Sequence, residues 1–307
     1  MQKSFSELAF GNKKNSSQTA DLQQQISEKG NELKRLVAKV NGYLYIDFQI
    51  ISYPDEANKL YLTIEIIDKK HPDRLRFLNE TSKTTTALER KVHKDDVIES
   101  MIRYQAIALD LILQQKFSYP NSCPVYHCIL GFDHPKLISY LPIFNQGVIN
   151  NKALIIETLK HDGNTDRREA AAFLVGHFSD PNEILTTLLP FVDDKVEGVR
   201  NNAMRVIGST IAKSKISNFD IHPFLNVLDS PYATDRNKAL YIIFVASKSK
   251  PLGQVINQKE RDTLVSLLRL KQPNNHDWAY LILKNITGKD FGPQNVTAWR
   301  KNLKMVV

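Results

Sequence analysis

The chain is 307 residues long, with 42% hydrophobic and 24% charged residues and a formal charge of +8. This is the make-up of an ordinary water-soluble protein, too long for one small core. No run of about 18 apolar residues is present, which excludes a bilayer-crossing helix. Neither a dinucleotide fingerprint nor a phosphate loop occurs among the 12 glycines.

Residues 1–18 are polar, with Asn12 to Ser17 carrying no apolar side chain, and read as a flexible lead-in. The opening stretch has no apolar core of a secretory signal. The expected location is therefore cytoplasmic, or periplasmic or secreted if a leader has been removed. Over residues 19–40 the apolar positions Leu22, Ile26, Leu33, Val37 and Val40 fall mostly on one helical face.

The period then changes. YLYIDFQIIS (43–52) and KLYLTIEIID (59–68) are rich in β-branched and aromatic residues, and the second alternates Leu60, Leu62, Ile64 and Ile66 with Tyr61, Thr63 and Glu65. They predict a β-hairpin around YPDEANK, one face solvated and the other covered by the preceding helix. It could cap the open end of a helical array or add its edge to a partner strand. Residues 19–80 form this helix and hairpin module. Residues 81–133 hold a linker, a long helix and a two-cysteine loop. The helix carries Val97, Met101, Tyr104, Ala108 and Leu111 on one face and is broken by Tyr119, Pro120 and Asn121. The carboxylates at its start, Asp95, Asp96 and Glu99, suit the helix dipole.

Cys123, His127, Cys128 and His134 are the one concentration of metal-type ligands. Three states are open: a zinc site, although the order matches no standard zinc spacing; a local disulfide between Cys123 and Cys128 in an oxidising compartment; or packed free thiols. A Cys–His nucleophile lacks identifiable oxyanion donors. No catalytic pair and no cofactor site is read from the chain.

Helices are expected at 135–146 and 152–160, and then a pattern repeats. Arg167 with Ala170, Arg200 with Ala203, Arg236 with Ala239 and Trp278 with Leu281 each mark a helix, at offsets of 33, 36 and 42 residues. Apolar partner helices lie between them in NEILTTLLPFV, IHPFLNVLD and RDTLVSLLRL. Each unit is a helical hairpin that needs neighbours to bury its faces. Asp193 and Asp229 stand seven residues before Arg200 and Arg236, while Lys160 and Lys271 hold the same slot before Arg167 and Trp278.

These residues resemble the HEAT family, in particular its short bacterial form related to phycobilisome-lyase repeats, over residues 134–307. The resemblance implies an α-solenoid in which Asp193, Arg200, Asp229 and Arg236 form a structural ladder between repeats. The closing stretch NITGKDFGPQNVTAWRKNL is similar to the end of some bacterial HEAT proteins: Gly288 stops a helix, Gly292 and Pro293 turn the chain, and Trp299 packs a last short helix.

The expected fold is thus mostly α, a HEAT-like α-solenoid with a small N-terminal helix and β-hairpin module. On its second helices Arg168, Asn201, Arg205, Asn237 and Tyr241 form the expected partner-binding column. The function this predicts is a non-enzymatic scaffold or adaptor for another protein. The alternative is nucleic-acid binding through a basic face, drawing on residues 271–307, where six Lys or Arg stand against two Asp.

Overall fold

The computed structural model describes residues 28–32, 34, 36–37, 43–51, 59, 61–78, 96–114, 122–248 and 252–303. The lead-in, the hairpin turn apart from Lys59, the whole of the 81–95 linker and the Tyr119–Asn121 break lie outside them, as do the apolar positions Leu22, Ile26, Leu33 and Val40. The described chain is mostly helical, with one small two-stranded antiparallel sheet. Among the described residues no helix is long and apolar enough to cross a membrane.

The sheet pairs β1 (Tyr43–Ile51) with β2 (Tyr61–Asp68), with Ile46 opposite Ile66, Asp47 opposite Glu65, Phe48 opposite Ile64 and Gln49 opposite Thr63. Opposed residues share a face. One face therefore carries Ile46, Phe48, Leu62, Ile64 and Ile66, and the other carries Asp47, Gln49, Thr63, Glu65 and Ile67. The second, more polar face is the buried one: Thr63, Glu65 and Ile67 are buried, whereas Ile64 is 48% exposed. This reverses the simple reading of alternation, and hydrogen bonding explains it. Gln49 donates to the Pro231 carbonyl (2.9 Å) and accepts from the Ala233 amide (2.9 Å). Glu65 pairs with Arg74 and with Arg236, the latter at 3.0 Å. Lys34, in the helical stretch before the strands, pairs with Asp47 at 2.6 Å.

The helices are α1 (Val97–Leu113), α2 (Tyr140–Asn150), α3 (Lys152–His161), α4 (Thr165–Val175), α5 (Pro181–Leu188), α6 (Glu197–Ser214), α7 (His222–Val227), α8 (Ala233–Ser247), α9 (Gln258–Leu267), α10 (Pro273–Thr287) and α11 (Val296–Leu303). Local chemistry sets several starts. Asp96 caps α1 by accepting from the Ile98 and Glu99 amides, both at 2.9 Å. Asn164 caps α4, Asp180 caps α5 ahead of Pro181, and Asn257 with Glu260 forms a capping box on α9. The α2 helix begins at Tyr140 rather than at residue 135, because the amides of Leu137 and Ile138 fold back onto the His134 carbonyl in a turn. Gly288 ends α10 with a positive φ of 65°, and Trp299 is fully buried in α11, its indole N–H on the Gly292 carbonyl at 2.8 Å.

The helices pack in an ordered way. In one row α1 lies on α4, α4 on α6, α6 on α8 and α8 on α10, while α3, α5, α7 and α9 each cover the row member that follows them in sequence. The buried side chains form one cluster from Phe77 and Val97 to Trp299 and Leu303. Ala170, Ala171 and Ala172 are all fully buried in α4, small enough for close helix approach. The hairpin does not sit at an end of this row. It is bonded to the loop before α8, partway along it, which corrects the end-cap expectation.

Candidate functional site

The polar residues at the starts of the row helices are mostly consumed by the fold. Arg200 and Asp235 are fully buried and paired: Arg200 Nε and a terminal nitrogen lie 3.0 and 2.9 Å from one Asp235 oxygen. Arg200 also donates to the carbonyls of Asp194 (2.7 Å), Lys195 (3.2 Å) and Phe77 (3.2 Å). Asp235 accepts further from Ser230 Oγ (2.8 Å) and Asn201 Nδ2 (2.6 Å). Arg236 Nε reaches Asn275 Oδ1 at 3.1 Å, and its other end reaches Glu65 and the Ser230 carbonyl.

A ladder thus exists, but its rungs are not those expected. Arg200 takes Asp235 of the next row helix instead of Asp193, which is exposed, and Arg236 takes Glu65 and Asn275 instead of Asp229. Asp229 turns outward to Lys259 at 2.7 Å. The reason is depth: a residue third in the following helix lies inside the stack, whereas the residue seven positions upstream lies in a solvent-facing turn. Asp235 and Asn275 are each third in their helix, so His276 rather than Trp278 stands in the Arg236 slot. Arg167 points backward along the row, to Asp96 at 2.9 Å and to Glu99, and also to Asp162 at 2.9 Å. Burial works against the Asp96 charge, but the hydrogen bonds from Arg167 and the Glu99 and Ile98 amides outweigh it and hold its carboxyl below the ordinary range. The acids at the start of α1 are therefore ion-pair partners as well as helix caps.

Two members of the expected binding column belong to the same framework. Arg168 pairs with Asp194 across the α4–α6 junction and donates to the Leu159 carbonyl at 3.0 Å. Asn201 is buried against Asp235. Neither is available to a partner, because both lie in the first turns of their helices, where neighbouring helices and loops close over them.

The cysteine loop is tightly seated. Cys123 and Cys128 are joined as a disulfide, with Cα atoms 5.7 Å apart. His127 Nδ1 lies 3.0 Å from Ser209 Oγ, and its ring stacks on Phe173 at 5.3 Å. His134 Nδ1 instead accepts from the Lys136 amide. The four residues do not form a metal site: both sulfurs are spent on each other and the two imidazoles face different partners. Among the described residues no three metal-ligating side chains converge. Lys213 donates to the carbonyls of Cys123 (3.1 Å) and Val125, pinning the loop to α6. A cleft of about 450 Å³ opens beside it, lined by residues that include Tyr126, Asn145, His177, Phe178 and Lys213. His177 is 8% exposed, with Nδ1 3.1 Å from Asn145 Oδ1. Burial pushes its pKa down to about 4, and pushes His127 down to about 3 with help from the charges of Arg205 and Lys213.

Farther along the row helices the side chains are left over rather than consumed. Arg205 is exposed and Lys238 half-buried, and among the described residues neither has an ion-pair or hydrogen-bond partner. Burial, followed by the charge of Arg205, lowers Lys238 to about 8, against the opposing pull of the Asp235 and Glu197 carboxylates. Among the described residues no donor reaches the buried Oδ1 of Asn237. The Tyr241 ring lies on Gly208, where a Cβ would come within 3.1 Å of it, and meets Trp278 edge-on at 5.5 Å, with Phe244 4.8 Å from Trp278. Toward the helix starts the same face carries Glu169 and Glu197. Both are held above the usual carboxylate range, first by burial; Asp166 and Glu197 add repulsion at Glu169, and Asp235 does so at Glu197.

Of the expected column, Arg205, Asn237 and Tyr241 share this open face. Lys238 and Trp278 join them without having been read as binding residues. Three-residue spacing could have found Lys238, because it stands three residues before Tyr241 on α8. The basic C-terminal stretch is partly neutralised: Lys284 pairs with Asp290 at 2.7 Å, Lys271, Lys289, Arg300 and Lys301 are exposed, and Lys304 lies outside the described residues. Comparison with known proteins finds no matching family model, no matching curated protein and no matching solved structure.

Proposed function

We propose that this protein is an α-solenoid of HEAT type acting as a non-enzymatic scaffold or adaptor, holding another protein on the open face of its row helices. The row packing of α1, α4, α6, α8 and α10, each with a covering helix, supports the solenoid reading. The observation that carries the function is the pair of cations, Arg205 and Lys238, that make no ion pair or hydrogen bond among the described residues, beside the half-exposed rings of Tyr241 and Trp278. Arg, Tyr and Trp are the residue types that dominate binding energy at protein interfaces. A disulfide at Cys123 and Cys128 supports an oxidising compartment, hence the periplasmic or secreted alternative over the cytoplasmic one.

The test is capture of partners from the native host with the wild-type chain and with an Arg205→Ala, Tyr241→Ala variant. An Arg300→Ala variant, altered at an exposed position of α11, is the control. Selective loss from the double variant is expected. If the same proteins are retained by all three, this face is not the binding site.

A further inference from the structure

We propose that the cleft beside the cysteine loop binds a small organic anion that carries a hydroxyl group on an apolar body, a site that goes beyond the adaptor reading and does not rest on it. Its volume of about 450 Å³ falls in the range of small-molecule sites.

The hydroxyl is selected by His177. Its Nδ1 lies 3.1 Å from Asn145 Oδ1, an amide oxygen that can only accept, so the ring proton sits on Nδ1 and Nε2 is left as a bare acceptor. No donor among the described residues reaches that Nε2. Nor is it sealed in: among the described residues the buried side-chain atoms without a partner are His127 Nε2 and Asn237 Oδ1, so the unpaired Nε2 of His177 is open, and His177 lines the cleft. Phe132 and Phe144 meet its ring edge-on at 5.9 and 5.3 Å, which fixes its direction. Burial keeps the imidazole neutral near pH 7. The ligand atom that meets Nε2 must therefore bring a proton of its own.

The anion is selected by Lys213, on the same lining. Two of its three donors hold the Cys123 and Val125 carbonyls, but carbonyls bring no counter-charge. Among the described residues it pairs with no carboxylate, and burial alone lowers its pKa, unlike Lys238, on which Asp235 and Glu197 act. Asp180, the acid beside the lining residue Ser179, is turned to the Asn182 amide as the cap of α5. One peptide unit separates the two anchors. Its Val125 carbonyl accepts from Lys213, and its Tyr126 amide donates to the carbonyl of Gly176, the residue before His177, at 3.1 Å. A molecule the length of a single amino acid can reach both, and Pro124, Val125, Tyr126 and Phe178 give its body an apolar wall.

The experiment titrates the whole disulfide-bonded chain by isothermal calorimetry with para-hydroxyphenylacetate, with phenylacetate, which lacks the hydroxyl, and with tyramine, which carries an ammonium in place of the carboxylate. Para-hydroxyphenylacetate should bind, phenylacetate about tenfold more weakly for want of one hydrogen bond, and tyramine more weakly still. In His177→Phe the affinities for the first two probes should become equal; circular dichroism checks that this variant folds. Arg205→Ala with Tyr241→Ala, on the open face, should leave probe binding unchanged. Absence of para-hydroxyphenylacetate binding, equal affinity for phenylacetate or for tyramine in the wild type, a folded His177→Phe variant that still prefers the hydroxyl, or a loss in the open-face variant overturns the proposal.

Discussion

Replacing Asp235 with alanine should be among the most damaging single changes in this chain, and replacing Asp193 should do almost nothing. Asp235 is fully buried and receives four hydrogen bonds, two from Arg200 and one each from Ser230 and Asn201. Without it the Arg200 guanidinium keeps three carbonyl acceptors but loses its counter-charge while remaining fully buried. Removing one member of a buried ion pair costs about 3–5 kcal/mol, a large share of the roughly 5–15 kcal/mol that holds a typical domain folded. Asp193 is exposed, and its removal should stay within about 0.5 kcal/mol. Urea unfolding followed by circular dichroism measures both, and an Arg200→Ala, Asp235→Ala cycle isolates the coupling. A loss at Asp193 equal to that at Asp235, or a loss at Asp235 below about 1 kcal/mol, would refute the assignment of the ladder.

Three further outcomes follow from the same geometry. Cys123→Ala with Cys128→Ala opens a small loop whose closure is worth about 2 kcal/mol by chain entropy; thiol titration before and after reduction should find the bond, and free thiols in the unreduced protein would deny it. His177 is buried and lowered to about 4 from 6.5, so the unfolded chain binds more protons between those values. Its contribution is complete above about 6.5 and is lost as pH falls toward 4, at up to roughly 1.4 kcal/mol per pH unit; His177→Phe should flatten that slope, and an unchanged stability profile would count against the buried neutral imidazole. Glu65→Ala leaves Arg236 and Arg74 without their shared carboxylate and should cost about 3 kcal/mol or more, with proteolysis of the hairpin accelerating before the helices unfold; equal cleavage rates in both proteins would contradict the docking of β2.

Helical periodicity and turn chemistry are local, and most of what they determine was legible. The row helices, the stop at Gly288 and the placement of Trp299 follow from residues within a turn or two of one another. What escaped depends on partners distant in sequence. Glu65 looked like the solvent side of an alternating strand, and only Arg236, 171 residues away, makes it an inside residue. Asp193 looked like the partner of Arg200 because regular spacing was visible, while the depth of Asp235 was not. Cys123 and Cys128 were compatible with zinc, disulfide or free thiols until the direction of each imidazole was known. Trp278 entered the repeat register through a match of type, and the buried amide of Asn275 moves that register by two residues.

The division of the expected column follows from its position along each helix. Arg168 and Asn201 stand in the first turn and a half of α4 and α6, where Arg168 bonds to Leu159 and Asp194 and Asn201 to Glu197 and Asp235. Arg205 stands four residues beyond Asn201, about 6 Å farther along the axis, and that displacement takes it from a position with backbone and carboxylate acceptors to one with none among the described residues. A helix whose first turn is fixed by a fully bonded polar network holds its later turns in a defined orientation. Arg205, Lys238 and Tyr241 are presented by backbones that Arg200, Asp235 and Arg236 anchor, and binding a partner there need not organise the surface that receives it. Low ordering cost on one side of an interface is one way a small set of contacts yields useful affinity, and it links the buried ladder to the exposed face without requiring the two to share a residue.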